Sequence, residues 1–239
     1  MLEVSDLHVN YGPVRAVHGV SFSAEKGKIT LVLGANGAGK TTSLRAVAGF
    51  HRPASGKVAL EGKDITGTPA HKVVRHGMVL VPEGRKIFFP LSVEENLRVG
   101  GYAAPRGGLE QGMEEVYEKF PILGDRRHTQ AGLLSGGEQQ MLAFGRALMS
   151  KPKLMLMDEP SMGLAPTMVE RVLGSVRTMA DAGITIVMVE QNADAGLRIA
   201  DSVVVVNRGE AVWTGSAQEA RGNKAIVHAM LGEAALDGA

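Results

Sequence analysis

The stretch GANGAGKT, Gly34 to Thr41, follows the apolar run KITLVL and leads into TTSLRAVAGF, in which Leu44, Val47 and Ala48 recur at helical spacing. A strand that passes through a glycine loop straight into a helix constrains the fold more than any other feature of the chain. Glycines let backbone N–H groups close around phosphate oxygens at a helix start, Lys40 reaches the outer phosphates, and the Thr41 hydroxyl can ligate Mg²⁺. The candidate nucleotide contacts are therefore Gly34, Asn36, Gly37, Ala38, Gly39, Lys40, Thr41 and Thr42. An ordinary glycine turn would need neither the lysine, nor the hydroxyl, nor the helix behind them.

Around this unit the chain alternates short β-like runs with glycine turns: LEVSDLHV and VHGVSFSA before it, KVALEGKDI after it. From about Pro82 to Lys151 the pattern becomes helical, in VEENLRVGGY, LEQGMEEVYEKF and GEQQMLAFGRALMSK, separated by AAPRGG and PILGDRR. KLMLMDE and ITIVMVE then read as buried strands. The helix TMVERVLGSVRTMADAG lies between them, with Val169, Val172, Val176 and Met179 on one face, and the short helix ADAGLRIAD follows. Strands separated by helices imply an α/β fold with a mainly parallel sheet. SVVVVNRGEAVWTG reads as a hairpin turning at Asn207 to Gly209, and AIVHAML as a final helix. The expected organisation is a single domain over 1–239. Residues 1–81 and 152–239 form its α/β core, with an antiparallel β-subdomain at the start, and 82–151 form an inserted helical subdomain.

Twenty-six Lys and Arg against 25 Asp and Glu leave a net charge of +1, which gives no field that would gather nucleic acid. The absence of Cys fits a reducing compartment, and MLEVSDLHVNYG lacks a signal-peptide pattern. No apolar stretch approaches the roughly 18 to 20 residues of a membrane span. These features predict a cytoplasmic chain whose membrane association is peripheral.

LMLMDEP places Asp158 and Glu159 at the end of an apolar strand, where carboxylates need a cation or a water to offset desolvation. Beside a phosphate loop, the first carboxylate holds Mg²⁺, directly or through water, and the second polarises an attacking water. Two solvated charges in a strand-to-loop turn are the alternative reading. LSGGEQQ offers Ser135 as a helix N-cap ahead of Gly136 and Gly137, with Met141, Phe144 and Leu148 facing inward. By itself this is an ordinary capped helix that happens to start with an anion-ready turn. At the end of ITIVMVE, Glu190 and Asn192 flank Gln191, and both are also readable as loop caps.

Taken together, these motifs resemble the ATP-binding cassette ATPases of ABC transporters, over nearly the whole chain. The resemblance implies a P-loop NTPase fold of the ABC cassette type: a RecA-like core with an antiparallel β-subdomain and a helical signature subdomain. It makes LSGGEQQ the signature, with Ser135, Gly136 and Gly137 contacting the γ-phosphate of ATP held by a second cassette. Tyr11 in HVNYG matches the aromatic that stacks on adenine, and SMGLA, Ser161 to Ala165, the loop that crosses to the opposite subunit. Two positions depart from the usual pattern. Glu83 in VPEGR stands where the family has a Mg²⁺-sensing Gln, which leaves Glu83 as a possible metal ligand. Gln191 stands where the family has a His on the γ-phosphate, and Gln donates a hydrogen bond without titrating. Lys40, Glu159 and Gln191 are the implied catalytic set, with ATP and Mg²⁺ as cofactors and Thr41 and Asp158 as metal ligands.

The wording VPEGRKIF, VEENL and VEQNA resembles the F-type ATP-binding subunit of bacterial branched-chain amino acid importers, with urea-importing cassettes as a neighbouring branch. The implied partners are a second cassette (a G-type paralogue or a second copy), two transmembrane permease subunits and, indirectly, a periplasmic or surface solute-binding protein, at the cytoplasmic side of the inner membrane. Phe88 and Phe89 in KIFFPLS are candidate apolar contacts for the membrane subunits, although aromatic burial tendency favours the core for both, and the 12 Met residues read as core filling. A soluble cassette acting on nucleic acid would carry a second cassette or a basic arm, and neither is visible. A regulatory module that binds ATP without hydrolysing it is opposed by Glu159 and kept open by Glu83 and Gln191.

Overall fold

A computed structural model describes residues 1–103 and 108–222. The elements run β1 (Leu2–Tyr11), β2 (Val14–Ala24), β3 (Ile29–Leu33), α1 (Lys40–Val47), β4 (Ser55–Leu60), β5 (Lys63–Asp64), α2 (Ala70–Val73) and β6 (Met78–Val81). After these come α3 (Val93–Gly100), α4 (Leu109–Lys119), α5 (Pro121–Asp125), α6 (Gly136–Leu148), β7 (Leu154–Asp158), α7 (Pro166–Asp181), β8 (Thr185–Val189), α8 (Ala193–Ile199), β9 (Ser202–Asn207), β10 (Glu210–Ser216) and α9 (Ala217–Gly222). The helix expected at AIVHAML and most of the AAPRGG spacer lie outside the described residues.

Two sheets result. β2-β1-β4-β5 is antiparallel, and β10-β9-β3-β8-β7-β6 is parallel except at β10, which pairs antiparallel with β9. Every residue of β3, β7 and β8 is buried, so each reads as a nearly continuous apolar run, broken only by Thr30, Asp158 and Thr185, instead of an alternating one. Alternation returns in what each side chain meets. Leu31, Met155, Met157, Ile186 and Met188 pack into a cluster with α3 to α7, whereas Val32, Leu154, Leu156, Val187 and Val189 pack against α1 and the antiparallel sheet. The parallel sheet is thus the shared wall of two cores, and its carboxyl edge is left free to carry loops.

Local signals set several element starts. Ser92 with Glu95, and Ser135 with Glu138, form reciprocal capping boxes at α3 and α6. Asn192 caps α8, its Oδ1 accepting from Ala195 N at 3.0 Å. PILGDRR, expected as a spacer, instead contains α5: Pro121 starts the turn and Leu123 is fully buried, so tertiary burial completes a helix too short to show a period. In α6, Phe144 is fully inward as expected and Met141 and Leu148 pack at the edge of the same cluster. Leu142 and Ala143 are buried as well, because α6 is covered on more than one side.

Phe88 and Phe89 correct an expectation. They are 46% and 54% exposed, not core. Gly84, Arg85 and Lys86 all have positive φ, and this turn sends Ile87 inward and the two aromatics outward. Fully buried Asn96 fixes the result, its Oδ1 accepting from Phe88 N at 2.9 Å and its Nδ2 donating to Phe88 O at 3.0 Å. The Arg146 guanidinium lies 5.3 Å from the Phe88 ring centre. Seven of the methionines, including Met78, Met149 and Met179, do fill the core, while Met162 is 44% exposed.

We predict that Phe144→Ala lowers stability by about 3–5 kcal/mol, the cost of a large core cavity, and Phe89→Ala by under about 1 kcal/mol. Urea unfolding midpoints check this, and comparable losses for the two would contradict the placement of the KIFFPLS loop.

Candidate functional site

The phosphate loop leaves β3 at Gly34, where only glycine fits: a Cβ there would sit 2.1 Å from the Val206 carbonyl oxygen of the neighbouring strand β9. The loop closes on itself through Ala38 N to Ala35 O at 3.1 Å, with Asn36 and Gly37 exposed at its crest and Ala38 buried beneath. Gly39, at φ 102°, then starts α1 with no side-chain cap and no acidic residue in the first turn. The first N–H groups of α1, through Lys40, Thr41 and Thr42, therefore keep the unpaired donors and partial positive charge that suit a phosphate. Thr41 and Thr42 are both half-buried at this end.

Lys40 is only 5% exposed, and its Nζ donates to Gly34 O at 2.8 Å and Ala35 O at 3.0 Å, within its own loop. Burial pulls its pKa down, with Glu159 and Asp158 opposing the shift. Thr41 Oγ1 donates to Asp158 Oδ1 at 2.8 Å. Asp158 is 2% exposed, and its second oxygen, Oδ2, has no hydrogen-bond partner. Burial pushes the Asp158 pKa up, against the Thr41 hydrogen bond and Arg45, and Glu83 adds to the rise. Glu159 follows in the left-handed region at φ 49°, a conformation few non-glycine residues adopt, with its N–H donating to Val189 O at 3.0 Å. Burial raises its pKa too; Lys40 opposes this, while Glu83 and Asp158 reinforce it. Three carboxylates, Glu83, Asp158 and Glu159, thus share one field with a buried lysine at the carboxyl edge of the parallel sheet, where open α/β sheets place their ligands.

Gln191 is exposed at the tip of β8, which lies between β3 and β7 in the sheet. Asn192 caps α8, and Glu190 caps the loop after β7 from a buried position. It is 1% exposed and takes both donors of Ser161, N at 2.9 Å on Oε1 and Oγ at 2.8 Å on Oε2. Sequence reasoning had no role for this pair. The signal was present as the lone charge closing the apolar run ITIVMVE.

Two groups of candidates stand apart from the phosphate loop. Ser135 is exposed at the α6 start with Gly136 and Gly137 behind it, and no hydrogen bond or ion pair among the described residues joins these three to residues 34–42. Gly136 faces Leu164 and Arg85, Gly137 faces Met168 at the start of α7, and Arg85 Nη1 donates to Gln139 Oε1 at 3.0 Å just beyond. Tyr11 is 44% exposed at the end of β1, with its ring centre 4.6 Å from that of His51. The two strand-end motifs and the phosphate loop are brought together, whereas no side-chain hydrogen bond among the described residues joins Ser135 or Tyr11 to them.

Residues 17–162 match a family model described as ABC transporter. The chain belongs to the ABC transporter ATP-binding family. Over 232 residues it is 42% identical to the high-affinity branched-chain amino acid transport ATP-binding protein BraG of Pseudomonas aeruginosa, covering 97% of this chain and 100% of that one. It is 30% identical to BraF of the same organism, a protein of the same description, over 98% of both. A solved ATP-binding cassette of an ABC transporter in its ADP conformation superposes with a TM-score of 0.88 at 28% identity, over 98% of this chain and 99% of that one. These likenesses bear out the cassette fold and the transporter-ATPase resemblance. The cassette binds nucleotide, as its family does.

The raised pKa values carry a stability consequence. A carboxylate whose folded pKa lies above its unfolded one favours the folded state most at low pH and loses that contribution as pH rises through the folded value. Ionisation of Asp158, with its unpartnered Oδ2, is therefore a burden on the nucleotide-free protein that grows as pH rises. We expect Asp158→Asn to raise Tm at pH 7.5, with a smaller gain at pH 5, as read by thermal melts without nucleotide or metal. A lower Tm at pH 7.5 would contradict the burial argument.

Proposed function

We propose that this chain is the ATP-hydrolysing subunit of an ABC importer for branched-chain or related hydrophobic amino acids, acting peripherally at the cytoplasmic face of a bacterial inner membrane. The observation that carries the ATPase reading is the 2.8 Å contact between Thr41 and Asp158, which joins the phosphate loop to the strand-end carboxylates. The substrate class rests on the likeness to BraG and BraF.

The residues present fit Mg²⁺. Among the described residues no three His, Asp or Glu side chains are grouped to hold a metal alone. Asp158, with its spare buried oxygen, and the Thr41 hydroxyl offer a small oxygen set of the kind Mg²⁺ uses when phosphates and water complete its octahedron. Glu83 adds negative charge nearby. When bound, the ion would offset the charge of the phosphates.

In this reading the phosphates of ATP take the free N–H groups of Gly34 to Thr42, and Lys40 exchanges its loop carbonyls for the outer phosphates. Glu159, its pKa raised by burial, takes a proton from the attacking water. The water oxygen bonds to the γ-phosphorus as the bond to the ADP oxygen breaks, giving ADP and phosphate. Gln191 donates to the γ-phosphate from the tip of β8, and Tyr11 faces the adenine. Ser135, Gly136 and Gly137 complete the corresponding site on a second cassette. The match to two different proteins from one organism supports an unlike partner, with this chain as the F-type member by its VPEGR and VEQNA wording.

Two permease subunits and a periplasmic or surface solute-binding protein complete the proposed assembly. Among the described residues no helix is long and apolar enough to cross a membrane. A groove of about 300 Å³, lined by Pro82, Arg85, Phe88, Val99 and Arg146, puts exposed Phe88 beside the Glu83 loop and supports permease contact there. Residues 82–151 would move as the helical unit against a core of 1–81 and 152–239.

Two assays test this reading. Glu159→Gln should cut ATP turnover by at least about 100-fold while ATP affinity changes little, and retained turnover would remove Glu159 as the base. In cells lacking the gene, the wild-type chain should restore labelled leucine uptake and Glu159→Gln should not. Restored urea uptake in place of leucine uptake would overturn the substrate class.

A further inference from the structure

Glu190 is the most buried carboxylate in the described structure with no part in the chemistry above. Both its oxygens are engaged by Ser161, a residue itself only 6% exposed, so a single side chain receives a backbone donor and a hydroxyl donor from the same position. The surrounding main chain is bonded in the same direction. Glu159 N donates to Val189 O at 3.0 Å and Glu190 N to Val32 O at 3.4 Å, which links the end of β7 to β8 and β8 to β3. The loop beyond is a compact turn, with Met162 N on Glu159 O at 3.1 Å and Leu164 N on Ser161 O at 3.3 Å. Space behind Glu190 is closed: a Cβ added to Gly196 would stand 3.6 Å from the Glu190 Cβ and 2.9 Å from Leu31.

We infer that Glu190 is a positioning residue for hydrolysis, clamping the loop 159–165 to the tip of β8 so that Glu159, Gln191 and the partner-facing turn at Met162 are held as one unit. This inference rests on the ATPase reading and deepens it. Glu159 needs such a clamp because its left-handed backbone persists only where the surroundings impose it. Asp158, just before it, is fixed by Thr41, and Ser161, two residues after it, by Glu190, so the backbone at Glu159 is held from both sides. Gln191 is next to the clamp in sequence, so any movement of the switch is transmitted to Ser161 through one buried side chain. The requirement is for hydrogen-bond acceptance and shape. A Gln at 190 can accept from Ser161 N and donate to Ser161 Oγ, since a hydroxyl also accepts.

The test measures Mg-ATP turnover, nucleotide affinity and thermal melting for wild type, Glu190→Ala, Glu190→Gln, Ser161→Ala and the double alanine variant. We expect Glu190→Ala to lower kcat by about tenfold or more with ATP affinity within about threefold, and Glu190→Gln to recover most of the loss. Ser161→Ala, which removes only the hydroxyl donor, should lower kcat by a few-fold and add nothing once Glu190 is Ala, the signature of a coupled pair. Turnover of Glu190→Ala within twofold of wild type would overturn the clamp. So would a Gln variant as impaired as the Ala variant, which would assign the effect to charge. Should Glu190→Ala fail to fold, unchanged kcat in Ser161→Ala would overturn it equally. A wild-type chain that hydrolyses no ATP with a second cassette present would bring down the ATPase reading itself, a result distinct from any of these.

Discussion

The hydrogen bond from Thr41 to Asp158 spans 117 positions of sequence and ties together everything that makes the site. It is possible because β3 and β7 lie two places apart in the parallel sheet, with β8 between them. Parallel strands all deliver their following loops to one edge. The phosphate loop leaves β3 there, Asp158 and Glu159 leave β7 there, and Glu190 and Gln191 emerge between them from β8. The middle strand therefore carries the residues best placed to read what happens on both sides.

That arrangement has an electrostatic cost, and the cost explains its chemistry. Lys40 is buried with its charge shared between two loop carbonyls, while burial holds Asp158 and Glu159 above their ordinary pKa range, with Glu83 raising both and Asp158 adding to the rise at Glu159. A buried carboxylate oxygen with no partner, the Asp158 Oδ2, is unfavourable in a folded protein unless a cation or a donor answers it. Glu159 adds backbone strain at φ 49°. Strain and desolvation gather on adjacent residues at one strand end, whereas the rest of β3, β7 and β8 is apolar apart from Thr30 and Thr185. The site is thus a local departure from the rules the surrounding fold obeys, as expected where a bound ligand supplies the missing interactions.

What was legible in the sequence was whatever is local. GANGAGKT announced strand, loop and helix within a dozen residues; LMLMDEP and ITIVMVE announced buried strands by composition; Ser135 and Glu138 stand at capping-box spacing. What escaped depends on tertiary packing or backbone conformation. The PILGD helix is too short to have a period and owes its existence to buried Leu123. Phe88 and Phe89 face outward because Arg85 and Lys86 adopt positive φ, which residue type does not forecast for Arg or Lys. The Glu190–Ser161 clamp joins positions 29 apart, and only the pairing of β7 with β8 shows that they meet.

Under the proposed function a second cassette supplies the last donors to this chain's nucleotide site, and Ser135 to Gly137 serve the other site in turn. ATP turnover per chain, followed over a wide range of protein concentration with and without an unlike second cassette in excess, tests it most directly. The account predicts that turnover per chain rises with cassette concentration while nucleotide binding does not depend on it. Full turnover per chain that stays constant down to dilutions where the protein is monomeric would contradict it, because a single chain would then be supplying every group the reaction needs.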